Sequence, residues 1–199
     1  MINKKLIRLA LLCICISAYS NLLAQQSKTG KSCQCGFGTI NQGGVFVAGE
    51  MLPGGNFQSI NGFRYKEWFG GVGVGVDFYR YRTIPVFIDI RRTILNKPTS
   101  PFIYADFGVN YPWMRDSDKG SYISQDFRSG YYFDFGAGYR FNLGKKHNLL
   151  FSAGYTEKRT REDRGELDYA SSTFPFPTKI DTYKYTMKRV ILRVGWALW

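Results

Sequence analysis

Histidine is nearly missing from this chain: His147 is the only one among 199 residues. It stands in Lys145-Lys146-His147-Asn148, which the sequence predicts to be a solvated tight turn. A Ser-His-acid hydrolase needs an imidazole within hydrogen-bond reach of its serine, and an Asp/His protease needs one as well. We therefore expect a protein that is not an enzyme.

Long apolar runs are also scarce, and after residue 24 no stretch is apolar enough for a transmembrane helix. The one unbroken run, residues 9–16, is too short to span a bilayer and follows Lys4, Lys5 and Arg8. These features predict a signal peptide rather than an uncleaved membrane anchor.

Cleavage is predicted after Ala24, with Ser20 as the alternative. The predicted organisation is then a signal peptide over 1–24, a short periplasmic segment over 25–35 and one domain over 36–199.

Acidic residues are outnumbered, with 15 Asp and Glu against 27 Lys and Arg and a formal net charge of +12. The signal peptide holds three of the basic residues and no acidic one, which leaves +9 on the mature chain. Export and the lack of a long Lys/Arg run argue against nucleic acid as a partner. Acidic groups at a membrane surface fit this charge better.

Cysteine is limited to four residues, and Cys13 and Cys15 leave with the signal peptide. The remaining Cys33 and Cys35 are predicted to be a paired thiol of an oxidising compartment, because a metal site would need more ligands. We expect no metal and no cofactor.

Alternating polarity is what the mature chain does contain. From Trp68 to Tyr79, valines and Phe78 share one face while glycines and Asp77 share the other, which is typical of a strand with one apolar face. The same alternation returns at residues 84–91, 102–111, 131–143, 149–155 and 189–198. Weaker segments at 39–50 and 56–65 complete an even count of eight strands.

Connector lengths alternate as well. Short links at 80–83, 96–100 and 144–148 contrast with predicted long loops at 112–129 and 158–182. Long loops on one rim and tight turns on the other are typical of outer-membrane barrels, and the pattern places both termini on the periplasmic side.

Two barrels of opposite polarity share such a pattern. A soluble lipocalin-like carrier turns its apolar face inward, whereas a membrane barrel turns it toward lipid. Many glycines, balanced charges on the polar face and aromatic residues at strand ends favour the membrane barrel. We therefore predict an all-β fold, an eight-stranded antiparallel up-and-down transmembrane β-barrel.

The charged residues of the polar face would then lie in the lumen, where an unpaired charge is costly. We expect Arg193 and Arg140 to be neutralised by aspartates, in a network that fixes strand register and fills the lumen. Its predicted members are Asp77, Asp89, Arg91, Asp106, Asp134, Arg140, Arg189 and Arg193.

Several segments resemble the small outer-membrane β-barrel proteins of Gram-negative bacteria. They include Val72-Gly73-Val74-Gly75-Val76, Ile84-Pro85-Val86-Phe87-Ile88-Asp89-Ile90-Arg91 and Gly136-Ala137-Gly138-Tyr139-Arg140-Phe141. The resemblance implies an eight-stranded barrel of the outer membrane protein A/X type, located in the outer membrane and inserted by the barrel-assembly machinery.

The terminal strand departs from the family pattern, because Trp199 falls on the face of Arg193, Gly195 and Ala197 rather than on that of Leu198. Trp199 either lies beyond the membrane edge or follows a bulge.

For function we expect a structural or surface-interaction role through the loops 112–129 and 158–182. The charged run 157–168 is predicted to be a surface loop that meets lipopolysaccharide phosphates, rather than an acid/base site. Outer-membrane lipid and lipopolysaccharide are thus the expected partners. The alternatives are a small-solute transport barrel, a lipid-modifying enzyme and the soluble ligand carrier.

Overall fold

The computed structural model describes residues 35–48, 54–78, 82–113, 124–144, 146–166 and 179–199. The predicted signal peptide 1–24 lies outside the described residues. Within them, no helix has the length and apolar character needed to cross a membrane.

Nine strands account for most of the described chain. They are β1 (Cys35–Ala48), β2 (Gly55–Tyr65), β3 (Trp68–Phe78), β4 (Arg82–Thr93), β5 (Ser100–Pro112), β6 (Ser124–Arg128), β7 (Gly130–Asn142), β8 (His147–Glu166) and β9 (Lys179–Leu198). The two weak segments of the sequence are therefore strands, as predicted.

The strands close into a barrel. Antiparallel neighbours run in the order β8, β7, β5, β4, β3, β2, β1, β9, and β9 returns to β8. The short β6 pairs with β8 and is separated from β7 by Ser129 alone. The partner register moves by one residue between Arg128↔Arg161 and Tyr132↔Lys158, so β6 and β7 form one bulged strand. The eight-stranded antiparallel barrel is confirmed.

Two strands continue past the barrel wall. β8 and β9 each have 20 residues, against 11 for β2. β7 pairs with β8 up to Lys158 and β1 pairs with β9 up to Val190. Past Lys158 on β8 and Val190 on β9, these two strands and β6 form a three-stranded sheet, which we call the extension. Its side of the barrel is the extended end. The opposite side, which carries the β2–β3, β4–β5 and β7–β8 connections and Trp199, is the turn end.

The extension corrects the predicted loops. Residues 158–166 and 179–182 belong to strands, and β6 lies within the predicted loop 112–129. In the extension polar side chains occupy both faces, so the apolar alternation of the other strands disappears there. His147 is likewise the first residue of β8 rather than a turn residue, with its ring 5.5 Å from that of Trp196.

Apolar side chains cover the outer wall. Ile88, Phe107 and Val72 are each at least 58% exposed, and valine, phenylalanine and tyrosine side chains continue this surface around the barrel. A soluble barrel would hide these residues, so the outer face is built for lipid, as the membrane alternative predicts.

The apolar core lies inside the barrel. It contains Ile40, Ile60, Phe69, Phe87, Phe102, Tyr104, Tyr132, Leu150 and Ala197, with Trp199 packed against it. Phe87 stands directly opposite Gly73 in the β3–β4 pair, and a Cβ on Gly73 would lie 2.5 Å from the Phe87 ring. Because Gly73 has no side chain, the aromatic ring of Phe87 can occupy the space beside it in the lumen.

Trp199 follows the final strand without a bulge. The β8–β9 register runs unshifted from Glu166↔Lys179 to His147↔Leu198, so the bulge alternative is wrong. The Trp199 ring lies 5.6 Å from Phe69, and the Arg64 guanidinium lies 5.8 Å from its centroid. Trp199 thus packs into the turn end of the lumen.

Candidate functional site

The lumen holds all eight charged residues of the network that the sequence predicts. Each of the eight is at most 6% exposed. Their inward position follows from the alternation along each strand, because every second residue of a barrel strand points inward. The structure does not pair them all as expected.

One ion pair joins Arg193 of β9 to Asp134 of β7. The Arg193 Nη1 donates to Asp134 Oδ1 at 3.1 Å and to the Tyr104 hydroxyl at 2.7 Å. The second guanidinium nitrogen, Nη2, bonds to Asp134 Oδ2. Tyr104 in turn donates to Asp134 Oδ1 at 3.0 Å. Both oxygens of this buried carboxylate are therefore satisfied by a charged partner and a hydroxyl.

A second ion pair lies within β4. The Arg91 Nε donates to both oxygens of Asp89, at 3.0 and 2.9 Å, and Nη2 donates to Gln42 Oε1 at 3.1 Å. Arg91 therefore connects Asp89 to β1, across the lumen.

Amide and phenol groups link the two ion pairs. Gln42 donates to Gln58 at 2.7 Å, Gln58 donates to the Tyr132 hydroxyl at 2.8 Å, and Tyr132 donates to Asp134 at 3.1 Å. We call this run from Asp89 to Tyr104 the polar chain. Its members belong to β4, β1, β2, β7, β9 and β5.

Lys158 of β8 supplies a third pair, with Asp77 of β3. Lys158 was not among the predicted lumen residues, because the sequence pattern placed it in a surface loop. Strand parity could have found it, since Lys158 shares the inward face with Leu150 and Thr156. Both members are about 1% exposed.

Three aspartates stand side by side on neighbouring strands. Asp106 is the register partner of Asp89 on one side and of Asp134 on the other. Within the described part of the chain, neither Asp106 carboxylate oxygen has a hydrogen-bond partner. Asp89 and Asp134 thus each have an arginine, whereas Asp106 between them has none in these ranges.

Arg140 donates to a backbone carbonyl, and Arg189 lies beside an aromatic ring. The Arg140 Nη2 donates to the Lys97 carbonyl at 3.0 Å, near the turn end. The Arg189 guanidinium lies 5.9 Å from the centroid of the Phe46 ring. The structure therefore brings Arg193, but not Arg140, to one of the predicted aspartates.

Within the described residues 157–166, the charged run divides between the two faces of β8 instead of forming a loop. Glu162 is fully buried on the inner face of the extension, where Arg164 Nε donates to it at 2.6 Å. The Arg164 guanidinium lies 4.7 Å from the Tyr183 ring centroid and bonds to the Tyr185 hydroxyl at 3.2 Å. The Glu162 carboxylate is paired with the Arg164 guanidinium. This arrangement fits a structural role in the extension better than an acid/base role.

No metal centre is apparent among the described residues, where no group of three or more His, Cys, Asp or Glu side chains is placed to hold an ion. Cys35 is in a disulfide, while Cys33 lies outside the described ranges.

Several solved structures are similar to this chain in fold. Neisserial surface protein A aligns with a TM-score of 0.54 at 14% identity, over 82% of this chain and 97% of the other. The chain has the fold of the small outer-membrane barrels. OprG from Pseudomonas aeruginosa gives 0.51 at 12% identity, over 82% and 95%. The outer membrane protein AlkL, solved in lipid bilayers, gives 0.54 at 14%, over 86% and 93%.

These comparisons confirm the predicted resemblance at the level of fold. No family model matches the sequence, and no curated protein matches it. At such low identity the solved structures indicate architecture, and the function has to be argued from this chain's own residues.

Proposed function

We propose that this chain is a non-enzymatic outer-membrane barrel that acts as a closed scaffold and presents the extension at the cell surface. The turn end would face the periplasm and the extended end the exterior. The observation that carries the proposal is the filled lumen.

Two layers fill that lumen. Toward the turn end, Phe69, Phe102, Leu150 and Trp199 pack together. Farther in, the polar chain connects opposite walls through buried side chains. An eight-stranded barrel has an interior just wide enough for such side chains, so a continuous aqueous path is not expected.

The extension offers charge on its outer face. Arg128, at 68% side-chain exposure, pairs with Asp163 at 2.8 Å, and Arg161 and Lys184 are exposed on the same sheet. Guanidinium and ammonium groups bind phosphate well. We propose lipopolysaccharide phosphates as the partner of this face, which rises directly from the lipid-facing wall.

A charge-removal variant tests the partner. Arg128→Ser with Arg161→Ser and Lys184→Ser should weaken binding of the purified barrel to lipopolysaccharide-containing liposomes about tenfold, and added salt should reduce the wild-type binding. Arg82→Ser with Arg92→Ser, in β4 away from the extension, is the control and removes two positive charges. Equal binding by both variants would refute the role of the extension.

A conductance measurement tests the closed scaffold. Purified protein in planar bilayers should give no steady single-channel events, while an epitope inserted after Glu166 should be accessible on intact cells. Regular channel openings would overturn the closed lumen, and an epitope accessible only after lysis would overturn the orientation.

Small-solute transport is the second candidate, favoured by one observation. Asn56, Thr83, Asn110 and Thr160 are buried toward the extended end with side-chain atoms that lack partners in the described ranges. A polar solute could bind there. Wild-type permeability to a small polar solute in liposome-swelling assays, reduced by Asn110→Leu, would support transport over the closed scaffold.

We also propose insertion by the barrel-assembly machinery. Val190, Leu192, Val194, Trp196 and Leu198 alternate along the last strand and are exposed on the outer wall. Depletion of that machinery should leave the chain unfolded in the periplasm, and normal heat-modifiable barrel after depletion would argue against this route.

A further inference from the structure

The lipid-facing wall carries one group of polar side chains on two neighbouring strands. Thr39 and Asn41 of β1 alternate with the buried Ile40 and Gln42, and therefore point outward. Their register partners on β2 are Asn61 and Ser59, which share this outer face. We call these four residues the polar patch.

Apolar side chains surround the polar patch along the strands. On β1 it lies between Phe37, 54% exposed, and Val45, 53% exposed. On β2 it lies between Phe63, 70% exposed, and Phe57, 55% exposed. The polar patch is therefore not at the rim of the apolar surface but inside it.

The neighbouring strands enclose the polar patch from the sides. On β3, Val72 and Val74 stand opposite Asn61 and Ser59. On β9, Leu198 and Trp196 stand opposite Thr39 and Asn41. All four of these apolar side chains are exposed.

The polar patch is only partly satisfied within one barrel. The Thr39 hydroxyl donates to Asn61 Oδ1 at 2.8 Å. That bond leaves the Asn61 amide N–H donors and the side chains of Asn41 and Ser59 without a partner in the described part of the chain. Lipid tails offer neither donors nor acceptors, so this surface is unfavourable against hydrocarbon.

We propose that the polar patch is the contact between two copies of this barrel in the membrane. Asn, Ser and Thr side chains each donate and accept hydrogen bonds, and the polar patch has no net charge. It is therefore complementary to itself, as the shared surface of a two-fold dimer must be. A charged partner would instead call for an opposite charge, and none is present among these four residues.

Gly43 lets the second wall approach. It follows Asn41 on the same outer face of β1, and the nearest atoms to a Cβ built there lie 3.7 and 4.0 Å away. Its own barrel therefore accepts a side chain at this position, while a second barrel packed against the polar patch would not. Small residues at membrane interfaces permit such close contact.

The proposal rests on the membrane location given under the proposed function. The two are distinguished by scoring only full-length protein that floats with phosphatidylcholine liposomes and is heat-modifiable. Absence of any floating, folded fraction would be a failure of the membrane assignment itself.

Site-specific photo-crosslinking tests the contact on that fraction. A benzophenone side chain at Ser59 should give a crosslinked dimer of this chain. The same group at Ile103, an exposed residue of β5 on the opposite wall, is the control and should give monomer. No dimer from Ser59, or equal dimer from both positions, would overturn the proposal.

Two variants separate the contact from folding. Asn41→Leu with Asn61→Leu should raise the dimer dissociation constant at least tenfold, measured by fluorescence transfer between labelled copies in liposomes, while the barrel stays folded. Gly43→Trp should do the same by steric exclusion, and Ile103→Trp should not. Unchanged dimerisation in both polar-patch variants, or crosslinking in cells to a different protein only, would contradict a second copy as the occupant.

Discussion

Lys158 on β8 and Asp77 on β3 form an ion pair between diametrically opposite strands of the barrel. The polar chain connects the six remaining strands of the wall. Together, the two sets of contacts tie every strand of the closed barrel to a partner across the lumen. Because Lys158 and Asp77 are both charged and buried, loss of either one leaves an uncompensated charge inside.

The Lys158 pair gives the first prediction. Lys158→Met should lower the free energy of unfolding by about 3–5 kcal/mol, because Asp77 remains buried without its cation. The measurement is urea unfolding of the barrel in liposomes. Lys188→Met is the control, since the Lys188 side chain is 62% exposed and its Nζ lies 4.0 Å from Glu157 Oε2. It should cost less than about 1 kcal/mol, and equal losses would contradict a lumenal role for Lys158.

The Arg193 pair gives a second prediction with a compensating variant. Arg193→Met should destabilise the barrel by about 3–5 kcal/mol, because Asp134 keeps a buried charge. Adding Asp134→Asn should recover part of that loss, because the charge is then removed. The thermal midpoint of the electrophoretic shift in detergent reports both. A double variant no more stable than the single one would argue against the ion pair as the source of stability.

Arg193→Ala should also lower the thermal stability, since it removes the same cation and leaves a cavity in addition. An unchanged melting profile in detergent would rule out the structural role of the charges in the lumen.

Gly154 gives a third prediction, through packing. A Cβ there would lie 2.1 Å from the Tyr104 hydroxyl and 2.8 Å from the Phe135 carbonyl. Gly154→Ala should displace Tyr104 from Arg193 and Asp134 and cost about 1–3 kcal/mol of stability. Gly70→Ala is the control, because nothing lies within 4 Å of a Cβ at that outer position. Matching midpoints for the two variants would refute this packing.

Trp199 gives a fourth prediction. Trp199→Ala should destabilise the barrel by about 2–4 kcal/mol, because it empties the space beside Phe69 at the turn end. Trp199→Phe should retain much of the packing and most of the stability. Bilayer conductance should stay absent in both, since the polar chain lies deeper in the lumen. A channel opened by Trp199→Ala would show instead that this residue is the main barrier.

The alternation of side chains along each strand allowed the inward and outward faces to be predicted from the sequence. The alternation at Ile88, Asp89 and Ile90 distinguished the lipid face from the lumen because the side-chain period of a strand is 2. The same rule placed Asp106 and Asp134 inside without any knowledge of their neighbours. It failed at 158–166, where polar side chains occupy both faces and the apolar half of the pattern is missing.

Pairing across the lumen was beyond the reach of the sequence. Arg193 could have met any of several aspartates, and the choice of Asp134 depends on barrel closure and strand stagger, which bring distant residues to one level. Arg140 is an example. The alternation places its side chain inside the barrel, but its position along the barrel axis brings it to the Lys97 carbonyl instead of to an aspartate.

The strand count, the barrel class and most of the inward-pointing side chains follow from the amino-acid sequence alone, because they depend on a local period of 2 and on connector lengths. Residues 158–166 are the exception. The lengths of β8 and β9, the partners of Lys158 and Arg193, and the position of Trp199 in the lumen depend on the tertiary structure. The polar patch belongs to the tertiary structure as well: Thr39 and Asn61 lie on strands that only their register brings side by side. Contacts between strands depend on stagger and closure, which no single segment encodes.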